Sequence, residues 1–278
     1  MSEGAPRRTM ADGNAIPLLG LGTWPLDDDG AHAVVADALR AGYRLVDTAT
    51  NYGNERGVGR AIREADIQRE EVFVTTKLPG AQHGHREALA GLDESLARLG
   101  LDHVDLYLIH WPLPMVGKYV ETWRAFVELR EQGKARSIGV SNFTPAQIDE
   151  ITEATGVRPA VNQIELHPEF PQAELRAWHD EHGIVTESYS PLGPDTDVLR
   201  HPEIGAIAAA LGRTPAQVIL RWHVQLGAIP IPKSSDPTRL RQNLDVFSFE
   251  LDAGQMAALD AVNRENRTGG DPETNLEL

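Results

Sequence analysis

The 278-residue chain contains no cysteine. Disulfides, thiolate zinc sites, iron–sulfur clusters and a cysteine nucleophile are thereby excluded. Positive charge is also scarce: 26 Lys and Arg face 41 Asp and Glu, a formal net charge of −15. A general nucleic-acid binder needs a basic surface to displace counterions, so that class is set aside, although a local basic pocket is still allowed. No stretch approaches the ~18 consecutive apolar residues of a membrane span. The opening MSEGAPRRTMADGN lacks the apolar core of a signal peptide. Low-complexity tracts and short-period repeats are missing as well. With 25 Gly and 18 Pro the chain lies outside the fibrous or disordered range, and 41% hydrophobic residues supply a substantial core. The expectation is a soluble cytoplasmic protein folded as one domain over residues 1–278.

What is present is an alternation. Short β-rich runs at 18–23, 44–48, 72–77, 104–110, 135–140, 160–165, 183–188 and 228–232 recur about every 30 residues, the length of one βα unit. Between them lie helical patterns such as 31–41, 54–65, 85–99, 119–132 and 145–154. In the third, Leu89, Leu92, Leu96 and Leu99 form one apolar stripe. Gly42, Gly100, Gly133, Gly156 and Gly183 stand where helix ends favour positive φ. Eight units without an internal linker predict a (β/α)₈ barrel rather than an open sheet. Asp12-Gly13-Asn14 predicts a small hairpin capping its floor, and the polar segment from Glu265 onward is expected to lie over the surface.

In such a barrel, chemistry belongs at the C-terminal ends of the strands. The second strand ends at Asp47 and its loop carries Tyr52, the third ends at Lys77, and the fourth ends at His110. A free phenol, with a pKa near 10, is a poor acid at neutral pH. A neighbouring ammonium lowers that value, and a carboxylate holds the ammonium in place. The set is therefore expected to protonate a carbonyl oxygen, with the imidazole orienting it. Farther along, Lys233, Ser234 and Arg239 flank a helix start at Ser235-Asp236-Pro237, whose free N–H groups are expected to bind an anion. Ser141, Asn142 and Gln163 are polar groups needing partners, and Tyr189 offers a flat face.

Two competing readings are weaker. His83-Gly84-His85 has the spacing of a metal pair but lies beyond a strand end, and His179 with His182 reads as a solvated helix face. No metal is expected. Gly20-Leu21-Gly22-Thr23-Trp24-Pro25 starts like a dinucleotide fingerprint but ends in proline, and Gly57-Val58-Gly59 sits inside a helical pattern, where it predicts close packing.

The blocks Asp47-Thr48-Ala49 with Tyr52-Gly53-Asn54-Glu55, Thr76-Lys77-Leu78 and Asp105 to Pro112 resemble signatures of the aldo-keto reductases. So do Ser137 to Phe143, Asn162 to Glu165, Tyr189 to Gly193 and Ile231 to Ser235. The chain is most similar to short bacterial members of that family. This resemblance implies reduction of aldehydes or ketones with NADP(H), Tyr52 as proton donor, Asp47 and Lys77 tuning it, and His110 orienting substrate. It further implies cofactor contacts from Thr23, Asp47, Ser141, Asn142, Gln163, Tyr189, Ser190, Leu192, Lys233, Ser234, Arg239 and Asn243. Lys233, Ser234, Arg239 and Asn243 would surround a 2′-phosphate. Trp24 and Trp111, joined by Leu113 and Met115, are expected to wall a mouth for a small-molecule carbonyl substrate, built from the loops after the first, fourth and seventh strands plus the tail, and family habit suggests a monomer.

Overall fold

Asp12-Gly13-Asn14 does turn the chain. Gly13 takes a φ of 89°, and the Asn14 N–H donates to Asp12 Oδ1 at 3.1 Å. Strands β1 (Arg7–Thr9) and β2 (Ala15–Pro17) consequently pair antiparallel. Met10 and Ile16, carried on this hairpin, pack with Leu106, Val185 and Ile229, which plugs one end of the sheet that follows. The computed structural model describes residues 5–277.

That sheet contains eight parallel strands among the described residues, each paired with the next along the chain. They are β3 (Leu21–Gly22), β4 (Leu45–Asp47), β5 (Phe73–Leu78), β6 (Val104–Ile109), β7 (Ala135–Ser141), β8 (Val161–Glu165), β9 (Val185–Tyr189) and β10 (Ile229–Pro230). Parallel neighbours need crossover connections, and helices supply them. These are α1 (Asp28–Ala41), α2 (Glu55–Glu64), α3 (His85–Leu99), α4 (Tyr119–Glu131), α5 (Pro145–Thr155), α6 (Ala173–Glu181), and both α7 (Pro202–Leu211) and α8 (Pro215–Gln225) before β10. Two more, α9 (Pro237–Leu244) and α10 (Ala253–Asp260), follow the last strand. Strands β5 and β6 are buried along their whole length, so their polar residues, Thr75, Thr76, Lys77 and Asp105, all lie inside the protein.

The first and last strands are much shorter than the predicted 18–23 and 228–232. They close the barrel through only two backbone bonds, Gly20 N–H to Pro230 O and Gly22 N–H to Pro232 O, both 3.1 Å. Pro230 and Pro232 have no N–H to return, so the seam runs one way. Side-chain packing completes it: a Cβ on Gly20 would lie 2.5 Å from Ile231 Cδ1.

Helix ends follow local chemistry. Thr144 and Thr214 cap α5 and α8 with reciprocal bonds to Gln147 and Gln217. His179 corrects an expectation. It is fully buried rather than solvated, with Asn162 Nδ2 donating to Nε2 at 3.0 Å and Thr186 Oγ1 2.9 Å from Nδ1. Burial pulls its pKa down to about 4. His182 instead stacks on Trp178, ring centroids 4.0 Å apart.

Gly57 and Gly59 set how closely α2 approaches its neighbours. A Cβ on Gly57 would lie 1.9 Å from Asp28 O, and one on Gly59 would lie 1.8 Å from Leu99 O. Backbone cannot yield at those distances without moving an element. Gly59→Ala is therefore expected to destabilise the protein by about 1–3 kcal/mol or more, despite alanine's better helix propensity. An unchanged thermal midpoint would show that α2 and α3 can separate freely.

Candidate active site

Asp47 ends β4 opposite Thr75 of β5, and Lys77 lies two residues beyond Thr75 on the same inward face. Lys77 is fully buried. Its three ammonium hydrogens have three acceptors: Asp47 Oδ1 at 2.6 Å, Thr48 O at 3.0 Å and Tyr52 Oη at 3.4 Å. Burial alone would pull the ammonium down, but Asp47 and Tyr52 outweigh it and hold the pKa above the ordinary lysine value. Lys77 is a fixed cation.

Tyr52 sits in the single turn Thr50–Tyr52 after β4. Asn54, fully buried, holds that turn in place. Its Nδ2 donates to Thr23 O and Leu26 O, and its Oδ1 accepts from Thr48 Oγ1 at 2.6 Å. The Tyr52 ring packs beside Trp24, centroids 5.3 Å apart, and meets His110 edge-on at 5.9 Å. Burial pushes the phenol up; Lys77 pulls it down without overcoming burial, and Asp47 adds to the rise. This corrects the expectation that Lys77 sets a lowered value. The hydroxyl keeps its proton at neutral pH.

A cavity of about 760 Å³ opens over these groups. Thr23, Trp24, Asp47, Tyr52, His110, Trp111, Asn142, Gln163, Tyr189, Ser190, Leu192 and Lys233 all line it, as the sequence suggested. Ser141, Ser234, Arg239 and Asn243 are absent from its wall, as is Lys77 beneath the floor. Leu113 is buried away from the cavity, and Met115 is exposed to solvent, so neither forms the expected apolar wall.

The amides are already engaged. Asn142, at a left-handed φ of 63°, donates through Nδ2 to His110 O and Ser141 Oγ and accepts the Tyr189 hydroxyl at 2.9 Å. Gln163 Nε2 donates to Asp47 Oδ2 at 2.9 Å and to Glu187 Oε2 at 3.0 Å, leaving Oε1 as its uncommitted polar atom. The anion site also differs from expectation. Asp236 caps α9, its Oδ1 accepting from both the Thr238 and Arg239 N–H groups. Those donors are not free, so the side chains of Lys233, Ser234 and Arg239 are what this helix start offers an anion. His83 and His85 diverge: His83 is buried, whereas His85 meets Glu128 at the surface. Among the described residues, no cluster of three acidic or histidine side chains is placed to hold a metal.

The tail from Glu265 contributes to the mouth as expected: Gly269, Gly270 and Glu277 line the cavity. Two further features carry no local sequence signal. Glu165, buried in β8, holds that segment by accepting from Thr268 N–H and Oγ1 and from Gly269 N–H. Glu187, in β9, lies wholly buried beneath Gln163 with Oε1 unpartnered.

Burial and the Asp47 charge push the Glu187 carboxyl up to about 8. Unfolded, it would ionise near the ordinary ~4.3. Between these values the folded state holds a proton that the unfolded state has lost, so this group's stabilising contribution falls as pH rises from about 4 through 8. Glu187→Gln keeps an acceptor for Gln163 but cannot ionise. Its thermal midpoint is expected to exceed that of the unmodified protein at pH 8 by more than at pH 5. A pH-independent difference would mean that Glu187 does not titrate in this range.

Comparison with known proteins agrees with this architecture. Residues 18–264 match the model of the aldo/keto reductase family. The chain is 51% identical over 273 residues to 2,5-diketo-D-gluconic acid reductase B of Corynebacterium sp. (strain SHS752001), covering 98% of this chain and 99% of that protein. A point mutant of Gox0644, solved in complex with NADPH, superposes with a TM-score of 0.94 at 48% identity, covering 99% of this chain and 100% of that one. The aldo-keto reductase of Bombyx mori, solved in complex with NADP, superposes with a TM-score of 0.90 at 37% identity, covering 96% and 95%. Extending over most of its length, these similarities and the barrel that carries Asp47, Tyr52, Lys77 and His110 lead to one assignment: the chain belongs to the aldo/keto reductase family.

Proposed function

We propose that this protein is an NADP-dependent oxidoreductase that reduces aldehydes and ketones, α-dicarbonyls and keto-sugars among them, to alcohols, with Tyr52 as the proton donor. The reading rests above all on one juxtaposition: a protonated phenol on the cavity wall, 3.4 Å from an ammonium whose other hydrogens are already taken. The related structures with NADPH and NADP bound support the cofactor assignment.

The residues fit a dinucleotide. The cavity lies within the range of about 300–1,000 Å³ that takes a ligand of this kind. Its wall includes Asp47, Tyr52 and His110 as well as Lys233. Lys233, with Ser234 and Arg239 beyond it, would receive phosphate charge; Asn243 is buried nearby on α9. Gln163 Oε1 would accept from the carboxamide of a nicotinamide, with Ser141 and Asn142 adjoining. Tyr189, its hydroxyl tied to Asn142, offers a ring face held in one orientation. When bound, NADPH supplies a hydride to the carbonyl carbon.

The protein's own part concerns the oxygen. His110 and Tyr52 line the same wall and would bracket a carbonyl oxygen between them. As negative charge develops there, the Tyr52 hydroxyl releases its proton to that oxygen. The resulting phenolate lies beside Lys77, and Asp47 keeps the ammonium aimed. Trp24 and Trp111 would hold the apolar part of the substrate.

Tyr52→Phe is expected to lower NADPH-dependent carbonyl reduction by about 100-fold or more while leaving NADPH binding, followed by fluorescence, in place. Comparable turnover in that variant removes Tyr52 as the acid. Arg239→Ala is expected to weaken NADPH roughly tenfold with little effect on NADH. Equal losses for the two cofactors contradict a contact with the 2′-phosphate.

A further inference from the structure

The substrate end of the cavity contains a charge that the proposed chemistry does not use. Glu277 lines the wall with its side chain only 21% exposed. Its Oε1 accepts from Asn51 Nδ2 at 2.6 Å and lies 2.9 Å from His110 Nδ1, though out of line for a hydrogen bond. Its Oε2 is buried with no hydrogen-bond partner. No Lys or Arg among the described residues lies within ion-pair distance of it; Lys77 is committed to Asp47, Thr48 and Tyr52.

The position is built. Gly80 allows close passage of the chain here: a Cβ on it would lie 2.1 Å from Glu277 O. Upstream, Glu165 clamps Thr268 and Gly269, and a Cβ on Gly270 would lie 3.0 Å from Trp111 Cη2. The segment thus delivers a carboxylate beside His110, where a substrate carbonyl has to sit. The other charged residues on the wall are Asp47, paired with Lys77, Asp195 and Lys233. Lys233, next to β10, is the cavity wall's only cation, and the nucleotide reading assigns it to phosphate. The wall thus carries the Lys233 ammonium beside β10 and, beside His110, the Glu277 carboxylate with no Lys or Arg partner.

We infer that Glu277 is a specificity-determining residue that turns away carbonyl compounds bearing a carboxylate and leaves uncharged aldehydes, ketones and keto-sugars as the preferred substrates. The inference rests on the reductase reading above and narrows its substrate class. A substrate carboxylate entering the mouth meets Glu277 across a partly desolvated gap with no Lys or Arg within ion-pair distance to offset it. Like charges in that setting disfavour binding by about an order of magnitude.

The test uses two aldehydes of nearly equal shape, 4-carbamoylbenzaldehyde and 4-carboxybenzaldehyde. Each is reduced to its benzyl alcohol by one hydride from NADPH and one proton. With NADPH saturating, kcat/KM for the amide is expected to exceed that for the acid by about tenfold or more. Glu277→Gln retains an acceptor for Asn51, and this ratio is expected to fall several-fold in that variant, through the acid's KM. In the unmodified protein, raising the salt from 0.05 to about 0.5 M should narrow the ratio as well, because screening shortens the reach of the charge. That second measurement needs no variant. Equal kcat/KM for the two aldehydes in the unmodified protein overturns the inference. A proportional rise for both in Glu277→Gln also overturns it, since the carboxylate would then obstruct rather than select. Failure to oxidise NADPH with either aldehyde, or with any uncharged carbonyl compound, overturns the reductase reading itself.

Discussion

A lysine ammonium without water in the middle of a barrel is the constraint around which this structure is arranged. Moving such an ion out of solvent costs several kcal/mol even after relaxation, and one carboxylate seldom repays it. Lys77 meets the cost with three acceptors from β4 and the turn after it, Asp47, Thr48 and Tyr52. The arrangement depends on register. Asp47 pairs with Thr75, so Lys77, two residues on, points inward just past the end of β4. A slip of one residue would turn Lys77 to the helix side and leave Asp47 unpaired in the barrel. The same pair that places the phenol thus also penalises a misregistered sheet.

The constraint spreads outward through amides rather than charges. Gln163 joins β8 to Asp47 and to Glu187 on β9, while Asn142 joins β7 to the end of β6 and to Tyr189. Five strands, β4 and β6 to β9, are thereby cross-linked near their C-terminal ends. Asn142 and Ser190 both hold left-handed backbone on this rim, at φ of 63° and 49°. Strain of this kind persists where surrounding bonds over-determine it. The wall beneath the proposed nicotinamide position is accordingly stiff, and the segment from Thr268 to Glu277 is held against the barrel by Glu165 and Asn51.

What could be read from the sequence was whatever one short stretch determines. The Asp12-Gly13-Asn14 turn, the glycine-terminated helices and the packing of Gly57 and Gly59 depend on local backbone geometry or on a missing side chain. The strand-end residues were legible because barrel topology maps chain position onto spatial level. What was illegible came mostly from contacts between distant segments. His179 looked solvated beside Asp180 and Glu181, but its partners Asn162 and Thr186 lie on β8 and β9. The tail was expected at the mouth, but that it brings the Glu277 carboxylate to Asn51, 226 residues away, is not written in its polar neighbourhood. One miss was local: the helix start left Ser235 or Asp236 as the cap, and capping by Asp236 consumes the N–H groups that made it look like an anion site.

The Tyr52 phenol shows why proximity and acidity have to be argued separately. Lys77 was expected to lower its pKa, but Asp47 holds that ammonium and partly cancels its field, while burial favours the neutral phenol. For carbonyl reduction this balance is useful. An acid has to carry its proton until the substrate oxygen becomes basic, and a phenol already ionised by its neighbour would have none to give. With Tyr52 as the proposed acid, stabilisation by Lys77 would count most after transfer, with the ammonium beside the phenolate. The buried ion pair would then discriminate between the beginning and the end of proton transfer, which is the differential on which rate depends.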